Sequence, residues 1–166
     1  VNIVYRYEDP KDISKIESVT KSAFLDHPHG DGNETKIISS LRQSDALAIS
    51  LVAEVEGKII GHIAFSAIDI SDGTNNWFAL GPVSVLPEHQ CHSIGTSLVK
   101  KGIEILNKRQ AGGCVLVGEP DYYKRFGFRA VSDLTLEGLP TEYFQCLLLS
   151  GAMPKGKVSY HKCFFE

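Results

Sequence analysis

The sequence predicts a mixed α/β domain, and three stretches carry that prediction. In the first, Val83, Val85 and Leu86 close a β-branched apolar run that reads as a strand, and Pro87 and Glu88 stop it. Residues 89–93 form a short polar loop. From Ile94 the apolar period lengthens: Ile94, Leu98, Val99, Ile103, Ile105 and Leu106 mark one broad helical face. Lys108 and Arg109 sit at its end, where cations favour the dipole, and Gly112-Gly113 stop it. In the second stretch, Cys114 to Gly118 is a short continuous apolar run, as in a buried parallel strand. Strand, helix and strand make a crossover unit, expected to be right-handed. In the third, two apolar strands, Leu47 to Val55 and Lys58 to Ile70, flank a Glu56-Gly57 turn and make a hairpin.

The remaining elements follow in order. Val1 to Arg6 alternates weakly and reads as a first strand, ended by Asp9-Pro10. Asp12 is placed to cap a helix from Ile13 to Phe24. His27 to Asn33 is a loop by composition. Glu34 to Arg42 reads as a second short helix with Ile37, Ile38 and Leu41 facing inward. Trp77 to Leu86 is a strand broken by Gly81-Pro82, and a proline there belongs at an edge, bulge or split. Glu119 to Phe126 is one or two helical turns, with Pro120 near a favoured first position and Gly127 at the end. Phe128 to Val131 and Glu142 to Leu149 read as strands, Leu134 to Pro140 is ambiguous, and Val158 to Phe165 reads as a final strand.

Composition bounds the function. The 166 residues fit one domain, 1–166, and 43% hydrophobic with 22% charged residues is ordinary for a chain with a real core. A net charge of −3 argues against a generic nucleic-acid or anionic-membrane surface. There is no 18-residue apolar stretch and no basic start followed by an apolar run, so neither a membrane span nor a secretory signal is read. Cys91, Cys114, Cys146 and Cys163 form no Cys-x-x-Cys pair; reduced thiols and a cytoplasmic location are the expectation.

The loop before the long helix is the candidate for chemistry. The first amides of a helix, here those of Ser93, Ile94, Gly95 and Thr96, lack intrahelical partners and make an anion site. No Lys or Arg occupies residues 80–99, so an anion here would be held mainly by backbone. The plain alternative is an ordinary strand-to-helix turn. The loop is not a Walker loop, since no Gly-Lys-Ser/Thr is present, and it lacks the three-glycine dinucleotide pattern.

Gln90, Ser93 and Gly95 occupy the three marked positions of a Gln/Arg-x-x-Gly-x-Gly/Ala motif, and Tyr123-Lys-Arg-Phe-Gly-Phe128 matches a Tyr-x-x-x-Gly-Phe segment after the next strand. With these the chain resembles the GNAT superfamily of N-acetyltransferases, and within it the small bacterial YhbS-like proteins. The resemblance runs roughly from Tyr5 to the C-terminus and is clearest from Leu80 to Phe128. It departs from the motif at Ser93, which replaces the first glycine.

The resemblance implies a central mixed sheet flanked by helices, with a splayed strand pair whose gap receives the pantetheine arm of acetyl-CoA, a co-substrate. Val83 and Val85 would pair with pantetheine through backbone, and Gln90, Cys91, His92, Ser93, Ile94, Gly95 and Thr96 would cradle the pyrophosphate. No metal is implied. The acceptor would be a small-molecule or peptide amine, recognised by residues 24–40 and 134–150. Neither nucleic acid nor a membrane is expected as a partner. A homodimer is compatible with the sequence, which leaves the oligomeric state open.

Forming an amide from a thioester requires the amine to lose a proton and the leaving thiolate to gain one. The resemblance assigns the second task to Tyr123, whose phenol, with an ordinary pKa near 10, stays protonated at neutral pH. Packing beside Tyr122, Phe126 and Phe128 is the plain alternative, and Tyr122 takes the role if the register slips by one. Residues 75–86 contain no acid and no histidine, so a base on that strand is absent. Glu34, Glu54, His62, His27 and His29 remain, and none is assigned. His89, Cys91 and His92, or His27 and His29, make no complete metal-ligand spacing. Two other readings compete with the transferase: a non-catalytic acyl-CoA-binding module, and a thiol hydrolase using Cys91 near the helix start.

Overall fold

The structure, a computed structural model, describes residues 2–25, 32–90 and 93–165. It is a mixed sheet with helices, as the sequence predicts. The strands are β1 (Ile3–Tyr7), β2 (Leu47–Val55), β3 (Lys58–Ala67), β4 (Asp69–Ile70), β5 (Trp77–Val85), β6 (Gly113–Val117), β7 (Leu134–Thr135), β8 (Phe144–Leu148) and β9 (Gly156–Ser159). The helices are α1 (Ile13–Phe24), α2 (Glu34–Gln43), α3 (Ile94–Lys108) and α4 (Pro120–Tyr123). The larger sheet has the order β1-β2-β3-β5-β6-β8 and the smaller β4-β9-β7. The chain divides into two compact units, 1–65 with 81–103, and 66–80 with 104–166.

In the first unit β1 pairs antiparallel with β2, Tyr7 opposite Leu51. β2 and β3 form the expected hairpin, with Glu56 and Gly57 both at positive φ (49° and 80°), as a tight two-residue turn requires. Ile16, Val19, Ile38 and Leu41 bury the inner stripes of α1 and α2. α3 lies close against β3. A Cβ at Gly61 would sit 3.2 Å from both Ile94 Cγ2 and Leu98 Cδ1, and one at Gly102 would sit 2.3 Å from the Phe65 ring. These two glycines set how near the helix comes to the sheet.

In the second unit β6 pairs parallel with the start of β5 and antiparallel with β8. Its core gathers Ile68, Ile70, Trp77, Ala79, Val115, Leu134, Phe144, Cys146 and Val158. Trp77 fills the space over Gly113, where an added Cβ would sit 2.3 Å from the indole and 2.5 Å from the Leu147 carbonyl.

Four expectations are corrected. Asp12 does not cap α1 with its side chain; the carboxylate turns back to accept from Arg6 at 2.7 Å and from the Asp9 amide at 2.7 Å, because a buried carboxylate gains most from a cation. The strand read from Lys58 to Ile70 is two: Ile68 donates its amide to the Trp77 carbonyl, and Asp69-Ile70 pairs with Ser159-Val158 in the smaller sheet. Residues 128–131 form only a bridge, Arg129 to Cys146. The final strand is β9, Gly156–Ser159, and Lys162–Phe165 is a 3₁₀ turn.

Candidate active site

β5 is antiparallel to β3: Leu86 donates its amide to the Ile60 carbonyl, and Ile68 donates to the Trp77 carbonyl. Between these bonds the chain takes nine steps along β5, Trp77 to Leu86, and eight along β3, Ile60 to Ile68. The extra residue is a bulge, and the cis Gly81–Pro82 bond lies in that stretch. This is where the sequence placed a break, and proline's missing N–H is its reason.

The register also orients the backbone. In an antiparallel pair alternate residues turn their N–H and C=O to the partner strand. Leu86 faces β3, so Ser84 does too, and the backbone groups of Val83 and Val85 point to the opposite edge. The Val85 carbonyl accepts from Gln90 Nε2 at 3.0 Å. Both valines are half-buried, whereas Ser84 is buried. On the β6 side, among the described residues, the parallel register covers Trp77–Gly113, Phe78–Cys114 and Ala79–Val115 and ends before Leu80 and Leu116.

After β5 a 3₁₀ turn, Pro87–His89, leads through exposed Gln90 to α3. Cys91 and His92 lie outside the described residues. Ser93 has φ +64°, the left-handed region, which strains a residue bearing a Cβ. Its carbonyl accepts from the Ser97 amide at 3.0 Å, closing the first turn of α3. Ile94 is buried, and Gly95 and Thr96 are half-buried behind it. The 15-residue α3 therefore begins at the residues the sequence chose, with its positive dipole end there.

In the second unit Tyr123 closes α4. Its ring lies on Gly118, where a Cβ would sit 2.6 Å from Cε2 and 3.0 Å from Cδ2. The Gly118 backbone is held from two sides, its amide donating to the Tyr143 carbonyl at 3.0 Å and its carbonyl accepting from Gln145 Nε2 at 2.9 Å. Tyr122, Phe126 and Phe128 flank the ring at centroid distances of 4.8, 6.1 and 6.0 Å. Burial, with smaller contributions from Tyr122 and Cys114, pushes the Tyr123 phenol up to about 12. Among the described residues its hydroxyl has no hydrogen-bond partner. Tyr122 stands differently: the Arg125 guanidinium lies 4.3 Å over its ring.

The other candidates separate. Glu54 accepts from Arg6 at 2.9 Å. Glu34 opens α2. His62 is fully buried on β3. His27 and His29 lie outside the described residues. No three His, Cys, Asp or Glu side chains converge among the described residues. Gly118 is the residue the sequence reading missed; a glycine ending an apolar strand two residues before Pro120 was its only signal.

A model of the Acetyltransferase (GNAT) family matches residues 13–128, through β5, the loop and α3 to Phe128. The chain belongs to the GNAT acetyltransferase family. It is 31% identical over 127 residues to the Escherichia coli N-acetyltransferase YhbS, covering 76% of this chain and 73% of YhbS. A crystal structure of a Brucella melitensis GNAT acetyltransferase in complex with acetyl-CoA is 42% identical, with 98% of each chain covered and a TM-score of 0.88. The structure of E. coli YhbS in complex with CoA superposes over 100% of this chain and 93% of its own, at 29% identity and a TM-score of 0.90. Among the described residues no helix of this GNAT chain is long and apolar enough to cross a membrane.

Proposed function

We propose that the protein transfers an acetyl group from acetyl-CoA to a primary amine, small-molecule or peptide, by direct attack in a ternary complex. The observation that carries this reading is the outward-turned backbone of Val83 and Val85 on a bulged strand that precedes α3 in the chain. Those backbone groups fit the amides of a pantetheine arm, and the first amides of α3 fit a diphosphate. The relatives with CoA and acetyl-CoA bound support the assignment. Acetyl-CoA supplies the activated acyl group. The segment from Gln90 to Thr96, including Cys91, His92, Ser93, Ile94 and Gly95, holds its diphosphate. The Gln90 side chain serves the loop, by closing onto Val85, as well as any anion.

Tyr123 gives its proton to the leaving thiolate. Its raised pKa keeps the phenol protonated throughout the neutral range, so the donor is always loaded. We read residues 1–166 as one acetyltransferase domain, because β5 and α3 each run through both compact units. No metal enters the reaction as proposed, nor does a nucleic acid or a membrane.

Calorimetry tests the reading. CoA should bind at least tenfold more tightly than a pantetheine lacking the diphosphate. Equal affinities would remove the diphosphate from the loop and with it the assignment of α3.

A further inference from the structure

The interior of the first unit holds a polar chain that the reading above leaves unused. His62, in mid-β3, is fully buried. Its Nε2 lies 2.7 Å from Ser50 Oγ on β2. Ser50 donates to Glu8 Oε1, and Glu8, just past β1, is paired with Arg42 of α2 at 2.7 Å. The chain runs from the core to a carboxylate that reaches solvent.

The protons along it can be assigned. Burial pushes the Glu8 carboxyl up, but hydrogen bonds from Arg42 and Ser50 outweigh it and the pKa is lowered. Glu8 is therefore ionised at neutral pH and only accepts. Ser50 has one hydroxyl proton, and it goes to Glu8. Ser50 Oγ must then accept from His62, which carries its proton on Nε2 and leaves Nδ1 as a bare lone pair. That Nδ1 is buried and has no hydrogen-bond partner.

Carried two residues along each strand, the register of the Leu86–Ile60 bond sets Ser84 of β5 opposite His62. Ser84 is 1% exposed and its Oγ is equally without a partner. A hydroxyl donor and an imine acceptor are thus both left without a partner, where an orphan is costly, and one shared water would satisfy both. Ser84 lies between Val83 and Val85, the residues whose backbone is proposed to line the acyl donor.

We propose that Ser84, His62, Ser50 and Glu8 form a proton relay that removes the one net proton the acceptor amine releases as the amide forms. The proposal rests on the acetyltransferase reading. As the N–C bond forms and the C–S bond breaks, one proton of the acceptor's ammonium passes by Ser84, or a water at it, to His62 Nδ1. His62 gives its Nε2 proton to Ser50, Ser50 gives its own to Glu8, and Glu8 releases it to solvent. Tyr123 supplies the thiolate's proton and recovers one from the amine's second N–H. Moved in concert, the relay needs no lasting imidazolium, which a site this dry disfavours. The charges acting on His62 are Glu8, from the end of β1, and Arg42, from α2; β2 and β5 present the neutral Ser50 and Ser84. His62 is a positioning residue in this scheme, since it acts through Ser84.

The test has two arms on the full chain. ¹⁵N NMR of histidine-labelled protein at pH 7 with CoA bound should show His62 as the Nε2–H tautomer; an Nδ1–H tautomer overturns the relay. In the second arm, acetyl-CoA turnover is measured with a panel of primary amines from pH 6 to 10 for His62→Gln and Ser50→Ala. Both should lower kcat about 10²-fold at pH 7 with the KM for acetyl-CoA unchanged, and recover as pH rises and free amine replaces ammonium. A loss of the same factor at every pH marks a merely structural role and overturns the proposal. Failure of the wild type to bind CoA overturns the acetyltransferase reading instead, and the relay's role in amide formation with it.

Discussion

Gly118→Ala puts the proposed role of Tyr123 under a direct test without touching the phenol. An added Cβ would stand 2.6 Å from Tyr123 Cε2 and 3.0 Å from Cδ2. Ordinary carbon contacts are about 3.5–4.0 Å, so roughly 1 Å must be found. Gly118 cannot supply it cheaply, because its amide and carbonyl are both hydrogen-bonded. The ring must move instead, against Tyr122, Phe126 and Phe128. Overpacking of this kind costs about 1–3 kcal/mol, or a Tm lower by roughly 2–12 °C for a domain of this size. A 1 Å misplacement of a reacting group costs up to about 10²-fold in rate. Amine-dependent thiol release from acetyl-CoA should therefore show kcat down about 10–100-fold with little change in KM for acetyl-CoA. Tyr123→Phe should cost about 10²–10⁴-fold, again in kcat. The two effects should not add: once the hydroxyl is gone, displacing the ring has little left to remove. An unchanged kcat in Gly118→Ala refutes the reasoning, as does the same loss in the Tyr123→Phe background. In the second case the alanine acts elsewhere.

Two further outcomes follow from single residues. Ser93→Gly relieves a left-handed φ and should raise Tm by about 2–4 °C for roughly 1 kcal/mol of strain, while CoA affinity stays within about tenfold because the serine hydroxyl's bond to an anion, about 1.5–3 kcal/mol, is offset by the steric and strain costs of its Cβ; calorimetry showing a larger gain in affinity would mean that the hydroxyl makes no such bond. His62, held neutral by burial with its pKa lowered to about 4, takes up its proton in the unfolded chain first, so stability should fall as pH drops from about 6.5 to 4, by about 3 kcal/mol in all; urea unfolding across that range should show a flatter profile for His62→Gln, and an equal slope would place the proton uptake on another group.

The sequence alone determined the parts of this protein that repeat with a local period. Ile13–Phe24 and Leu47–Val55 form an element over the very residues the pattern marked, because an amphipathic stripe or an unbroken apolar run has one way to bury itself. The start of α3 was legible for the same reason: Pro87 ends the strand and Ile94 begins a new period. Gln90, Ser93, Gly95 and Tyr123 were singled out through the resemblance to the GNAT motifs. The tertiary structure decided what depends on residues far apart in the chain. The strand read to Ile70 breaks at Ile68 because Trp77 supplies one partner and Val158 the next, and neither is visible from residues 58–70. Asp12 leaves the helix end for Arg6, a choice made by which charge shares its burial. The outward turn of Val83 and Val85 follows from one hydrogen bond to Ile60, since register in a sheet is a relation between strands. Gly118 matters only because Tyr123 folds back over it, and His62 meets Ser50, and Ser50 meets Glu8, only across neighbouring strands. Periodicity is a property of a segment and can be read there; a buried polar contact is a property of a pair, and only the fold brings the pair together.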